Sequence, residues 1–148
     1  MEQLPYIDEH SITIDVTRER VWSVLAQALR RHFGGSASAP LTRLLGVAPA
    51  EARGNWRETV HTGDTLPGFA VAETRPPERL ELRGRHRFSS YTLIFELDAI
   101  GAARCTLRAQ TWAEFPGPVG RVYRAFVIGS GGHRLILKRL LRNVARHA

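Results

Sequence analysis

An α+β domain is predicted, with an antiparallel β-sheet of about six strands packed against a long C-terminal α-helix and two shorter helices after the first strand. Three observations predict it. Residues 6–15 alternate apolar and polar side chains with period two and pass directly into a helical pattern. From Asn55 to Glu114 the period is again two, broken by turn signals, and after Pro116-Gly117-Pro118 an apolar stripe recurs at helical spacing almost to Ala148. At 148 residues, 43% apolar and 24% charged, the chain has the size and composition of one globular domain with one core, so residues 1–148 are read as a single domain.

The elements follow in order. Tyr6 to Asp15 forms the first strand, with His10, Ile12 and Ile14 on one side and Glu9, Ser11 and Thr13 on the other. Thr17 caps a helix in which Val21, Trp22, Val24, Leu25, Ala28 and Leu29 share a face, and Gly34-Gly35 stop it. Pro40 to Leu45 suits a short second helix, and Ala48 to Gly54 reads as connection. Strands are expected at Trp56–His61, Phe69–Glu73, Arg79–Phe88, Tyr91–Ala99 and Arg104–Glu114. Turns fall at Gly63-Asp64, Pro67-Gly68, Pro76-Pro77, Ser89-Ser90 and Gly101. Pro118 opens a final helix of roughly 25 residues, striped by Val122, Phe126, Ser130, His133, Leu137, Leu140 and Val144.

Composition narrows the classes of function. Cys105 is the only cysteine, so no internal disulfide and no four-cysteine zinc site can form. His10, His32, His61, His86, His133 and His147 have no close ligand spacing, and no metal is expected. There is no G-x-S-x-G elbow, and "GSGG" follows no strand and lacks the G-K-[ST] ending of a phosphate loop. No cofactor is expected. The first 15 residues carry Glu2, Asp8 and Glu9 and lack a signal-peptide pattern. No segment has the roughly 18 to 20 apolar residues of a membrane span, so a cytoplasmic location is expected.

The net charge of +7 is asymmetric: residues 1–114 hold 14 basic and 14 acidic side chains, whereas the rest hold seven basic ones and no acid. Such a segment complements a helix dipole and a solvated face. Transient contact with an anionic membrane surface stays open. Nucleic acid is disfavoured because no exposed aromatics interleave Arg121, Arg124, Arg134, Lys138, Arg139, Arg142 and Arg146 to stack bases.

The sequence also resembles a known superfamily over nearly its whole length. "VTRERVW" opens the first helix, "PGFAVAETRPPERLELRG" makes a hairpin, "YTLIFELD" is the next strand, and a closing helix follows "FPGPVGRVYRAF". This order resembles the START-like (SRPBCC) superfamily, known in bacteria as the polyketide cyclase/dehydrase and lipid-transport group. The resemblance implies the helix-grip fold, a curved sheet around the long helix with a deep cavity between them. It further implies lipids, sterols, polyketides or plant hormones as ligands; some members catalyse cyclisation, dehydration or hydrolysis, and many only bind.

In that arrangement strand alternation turns Leu80, Leu82, Gly84, His86 and Phe88 inward, with Glu81, Arg83, Arg85 and Arg87 in solvent. Tyr91, Leu93, Phe95 and Leu97 follow inward on the next strand, and Cys105, Leu107, Ala109, Thr111 and Ala113 on the last. His86 is the candidate acid or base, with Tyr91 and Thr111 to orient a carbonyl or hydroxyl. The competing reading makes it a core histidine satisfied by Tyr91 or a backbone carbonyl. Phe95 belongs to the wall; Tyr123, Phe126, Ser130 and His133 line it from the helix, and Arg124 stands at the mouth, able to hold a carboxylate. Gly129, Ser130, Gly131 and Gly132 interrupt the helix with small residues, which either leave room for a ligand or mark close packing or a kink. The expected partner is a small, largely hydrophobic ligand, carried or bound; the alternative is a cyclase, aromatase or dehydratase acting on one.

Overall fold

A computed structural model describes residues 4–33, 53–54, 56, 60–66, 68–86, 89–125 and 132–148, apart from the side chains of residues 32, 33, 86, 119, 123, 132 and 133. The described elements are β1 (Tyr6–Ile14), α1 (Arg18–Phe33), β2 (Thr65–Leu66), β3 (Phe69–Arg75), β4 (Arg79–His86), β5 (Ser89–Ile100), β6 (Arg104–Glu114), α2 (Gly117–Arg124) and α3 (Gly132–His147). The strands form one antiparallel sheet in the order β1-β6-β5-β4-β3-β2. The first strand of the chain therefore pairs with the last, and β1 and β2 are the edges.

Helix α1 begins as its sequence requires. The Thr17 hydroxyl accepts a hydrogen bond from the Arg20 backbone N–H at 3.3 Å, and Glu19 in the first turn complements the positive end of the helix. Val21, Val24, Leu25, Ala28 and Leu29 are buried, the stripe that a 3.6-residue period presents to a core. Helix α3 answers with Leu137, Leu140, Leu141 and Val144, and packs on α1 and β1. These two stripes and the inward residues of the sheet make one apolar cluster.

Alternation is clearest in β6, where Cys105, Leu107, Ala109, Thr111 and Ala113 are all buried between less buried neighbours. Burial is also the main cause, ahead of the Glu19 carboxylate, that pushes the Cys105 thiol up from its ordinary value, so it stays protonated and unreactive at neutral pH. Irregular pairing between Tyr6 and Asp8 in β1 and between Val71 and Glu73 in β3 supplies the local bending that curves a sheet.

The convex face is charged and cross-linked. Arg108 on β6 reaches Glu9 on β1 at 3.4 Å and Glu96 and Asp98 on β5 at 3.1 and 2.9 Å. Glu81, expected in solvent, is instead buried, with Arg79 at 3.6 Å and Arg83 at 3.3 Å. Its register neighbour Ile94 is buried on the same face. The long basic side chains of β4 shield a face that alternation alone assigns to water.

Three other expectations are corrected. Trp56 lies in a turn, and Val60 and His61 are in no strand; the sixth strand is Thr65–Leu66, joined to Arg53 by an isolated bridge. Ser89 and Ser90 open β5 instead of forming a turn. The C-terminal helical segment is described as α2 and α3, and residues 126–131 between them lie outside the described residues. Val122, phased inward in the expected helix, is 68% exposed. The short helix expected at residues 40–45 lies outside the described residues, as do Phe88, Phe126 and Ser130.

Candidate functional site

Partners across an antiparallel ladder share a face, so the register reads out the concave wall row by row. Ile12, Leu107 and Leu97 form one row, and His10, Ala109, Phe95 and Leu80 the next. Asp8, Thr111, Leu93, Leu82 and Val71 follow, then Ala113, Tyr91 and Gly84, and at the far end Ser89 and His86. The wall is apolar through Phe95, Leu93, Leu82 and Leu107, all buried, and its polar members run from His10 in the second row through Asp8 and Thr111 in the third to Ser89 in the last.

Of the residues expected from sequence, Phe95 and Thr111 are buried on this wall. Tyr91 is there too, and its hydroxyl donates to the Gly68 carbonyl at 2.7 Å. Its ring meets Phe69 edge-on, centroids 5.2 Å apart, so Tyr91 ties the start of β3 to the centre of the sheet. The backbone of His86 ends β4, three strands from β1; its side chain, like those of Tyr123 and His133, is outside the described set. Tyr123 lies on α2 and His133 in the first turn of α3, while Arg124 closes α2 and is exposed. The described basic residues of α2 and α3 all face solvent, beside exposed Leu135 and Ile136.

The wall also carries a pair that the sequence reading did not join. His10 Nε2 lies 3.2 Å from Asp8 Oδ2, and the two side chains are 15% and 18% exposed. Residues i and i+2 of a strand project from the same face, which lets a carboxylate reach an imidazole two positions on. An ionised carboxylate only accepts, so this bond places a proton on Nε2, and in the neutral imidazole Nδ1 is then the lone-pair nitrogen. Among the described residues Nδ1 has no hydrogen-bond partner. The signal was present in the alternation that put His10 with Ile12 and Ile14; extending it back by two residues brings Asp8 to the same side.

Among the described residues no group of three or more His, Cys, Asp or Glu side chains could hold a metal ion, and no helix is long and apolar enough to cross a membrane.

No protein-family model matches the chain, and no curated protein matches it. Solved structures do. Truncated norcoclaurine synthase from Thalictrum flavum superposes over 100% of both chains with a TM-score of 0.56 at 11% identity. A START superfamily protein from Mycobacterium smegmatis gives 0.55 at 12% identity, over 95% of this chain and 97% of that one. The chain has the START-like helix-grip fold. CalU16 from Micromonospora echinospora shares it, with a TM-score of 0.55 at 14% identity over 98% of this chain and 91% of its own. At such identities the likeness establishes the START-like fold and leaves the ligand and chemistry to the residues on the wall.

Proposed function

We propose that the protein binds and carries a small, largely hydrophobic molecule between the concave face of its sheet and the C-terminal helix. One observation carries this reading: a wall built of Leu82, Leu93, Phe95 and Leu107 also holds Asp8 and His10, which keep part of their surface accessible. A wall serving only as core gains nothing from an imidazole and a carboxylate, whose desolvation is costly. An apolar site with a few placed polar groups is the usual make-up of a small-molecule pocket. The test is native mass spectrometry of the full chain purified from its own source. An apolar molecule that leaves on denaturation is the expected result. The bare chain mass, together with an unchanged melting temperature across a panel of naphthalenes and fatty alcohols, would sink the proposal.

The Asp8–His10 pair also favours a second reading, an enzyme of cyclase, aromatase or dehydratase type acting on a polyketide-like or other hydrophobic molecule. A carboxylate that orients an imidazole is a common support for proton transfer, and His86 is the other candidate acid or base. The co-purifying molecule would then be converted by the wild-type chain. Replacing His86 or His10 by alanine would cut that turnover by about 100-fold or more if the residue is the acid or base; turnover within twofold of wild type excludes the role for that residue.

A further inference from the structure

The pair on β1 goes further than a general preference for apolar ligands. We propose that Nδ1 of His10, held in its acceptor state by Asp8, is the recognition point for a hydroxyl group on an otherwise apolar ligand. The inference rests on the binding site proposed above and says which chemistry that site selects.

Four observations converge on it. The Asp8 carboxylate at 3.2 Å fixes the proton on Nε2, so the neutral imidazole offers an acceptor and not a donor at its other nitrogen. That nitrogen has no partner among the described residues. The side chain keeps 15% of its surface exposed, so a small molecule can approach without the strand having to open. Its register neighbour is Ala109, so no large side chain from β6 stands directly across from the imidazole. An apolar body against Ile12, two positions along the same face and still partly exposed, then brings a hydroxyl hydrogen towards Nδ1. A ketone or ether of the same shape meets two acceptors facing each other and gains nothing. β1 is an edge strand of the described sheet, which places this polar point at the rim of the wall, where a ligand can reach it.

The experiment compares 2-naphthol with 2-methylnaphthalene, which have nearly the same shape and differ in the hydroxyl, by fluorescence titration of the full chain. Wild type is expected to bind 2-naphthol about tenfold more tightly, the effect of one hydrogen bond in a desolvated site. His10→Phe keeps a planar aromatic ring without the ring nitrogens and is expected to hold 2-methylnaphthalene within about twofold while the preference for 2-naphthol falls to about one. A second measurement covers the case in which His10→Phe does not fold. In ring-nitrogen NMR of the wild type, 2-naphthol should move the His10 Nδ1 resonance and 2-methylnaphthalene should not, and in Asp8→Asn the fixed tautomer and the selectivity should be lost together. A preference that survives in His10→Phe, or an Nδ1 resonance unmoved by bound 2-naphthol, overturns the recognition point and leaves the carrier reading standing. Failure of wild type to bind either compound overturns the recognition point, and it overturns the carrier reading too when the native mass spectrum shows only the bare chain.

Discussion

Replacing Gly84 by alanine is expected to destabilise the protein by about 3 kcal/mol, at the upper end of what overpacking costs, and to lower the melting temperature by roughly 10 °C. A Cβ at this position would lie inside the van der Waals shell of the Gly68 carbonyl oxygen, and close to the Gly68 carbonyl carbon at 2.8 Å and the Tyr91 ring at 2.9 Å. The obstacle is backbone, so no rotamer change relieves it. Either β4 or the start of β3 must move, and the move breaks the hydrogen bond from the Tyr91 hydroxyl to the Gly68 carbonyl. Thermal and urea melts check the size. A loss below about 0.5 kcal/mol would mean that β3 can slide at little cost and that the Tyr91 tie is not a constraint.

Trp56→Ala is the other large effect, with an expected loss of about 3 to 5 kcal/mol. The side chain is 2% exposed, and its indole N–H is shared between the Arg53 and Thr65 carbonyls, each at 3.0 Å. Those two residues are themselves bridged, Arg53 N–H to the Thr65 carbonyl at 2.8 Å and Thr65 N–H to the Arg53 carbonyl at 3.0 Å. Alanine removes the largest fully buried side chain among the described residues and the clamp on the approach to β2. Trp56→Phe separates the two contributions: it keeps most of the apolar volume, and its loss should be about 1 to 2 kcal/mol, from the missing donor and the smaller ring. Equal losses for the two variants would assign the whole effect to the indole N–H.

The candidate site was legible in part, and the reason is visible residue by residue. Period-two alternation fixes which side of a strand a residue takes, so the inward set on β6 from Cys105 to Ala113 and the Leu80, Leu82, Leu93 and Phe95 wall were readable. It says nothing of what a polar group on that side touches. Tyr91 was expected to serve a ligand, yet its proton is given to Gly68, 23 positions away in sequence. His10 was assigned its side correctly, while its bond to Asp8 depends on rotamers that no pattern encodes.

The sequence by itself determined the α+β class, the antiparallel run of strands, the helix from Thr17, and β6 to the residue, because propensity, capping and alternation are local and each agreed with its neighbours. It also pointed to the START-like fold. Only the tertiary structure decided matters that turn on distant partners. Trp56 sits in a turn because its indole finds the Arg53 and Thr65 carbonyls. Glu81 is buried with Arg79 and Arg83 beside it on the convex face. Val122, placed on the inward stripe by periodicity, faces solvent. Asp8 and His10 meet at the edge of an apolar wall because β1, the first strand of the chain, is laid against β6, the last. A pairing between the two ends of a sequence lies beyond any local pattern, since its stabilisation comes from surface buried only once the chain has closed on itself.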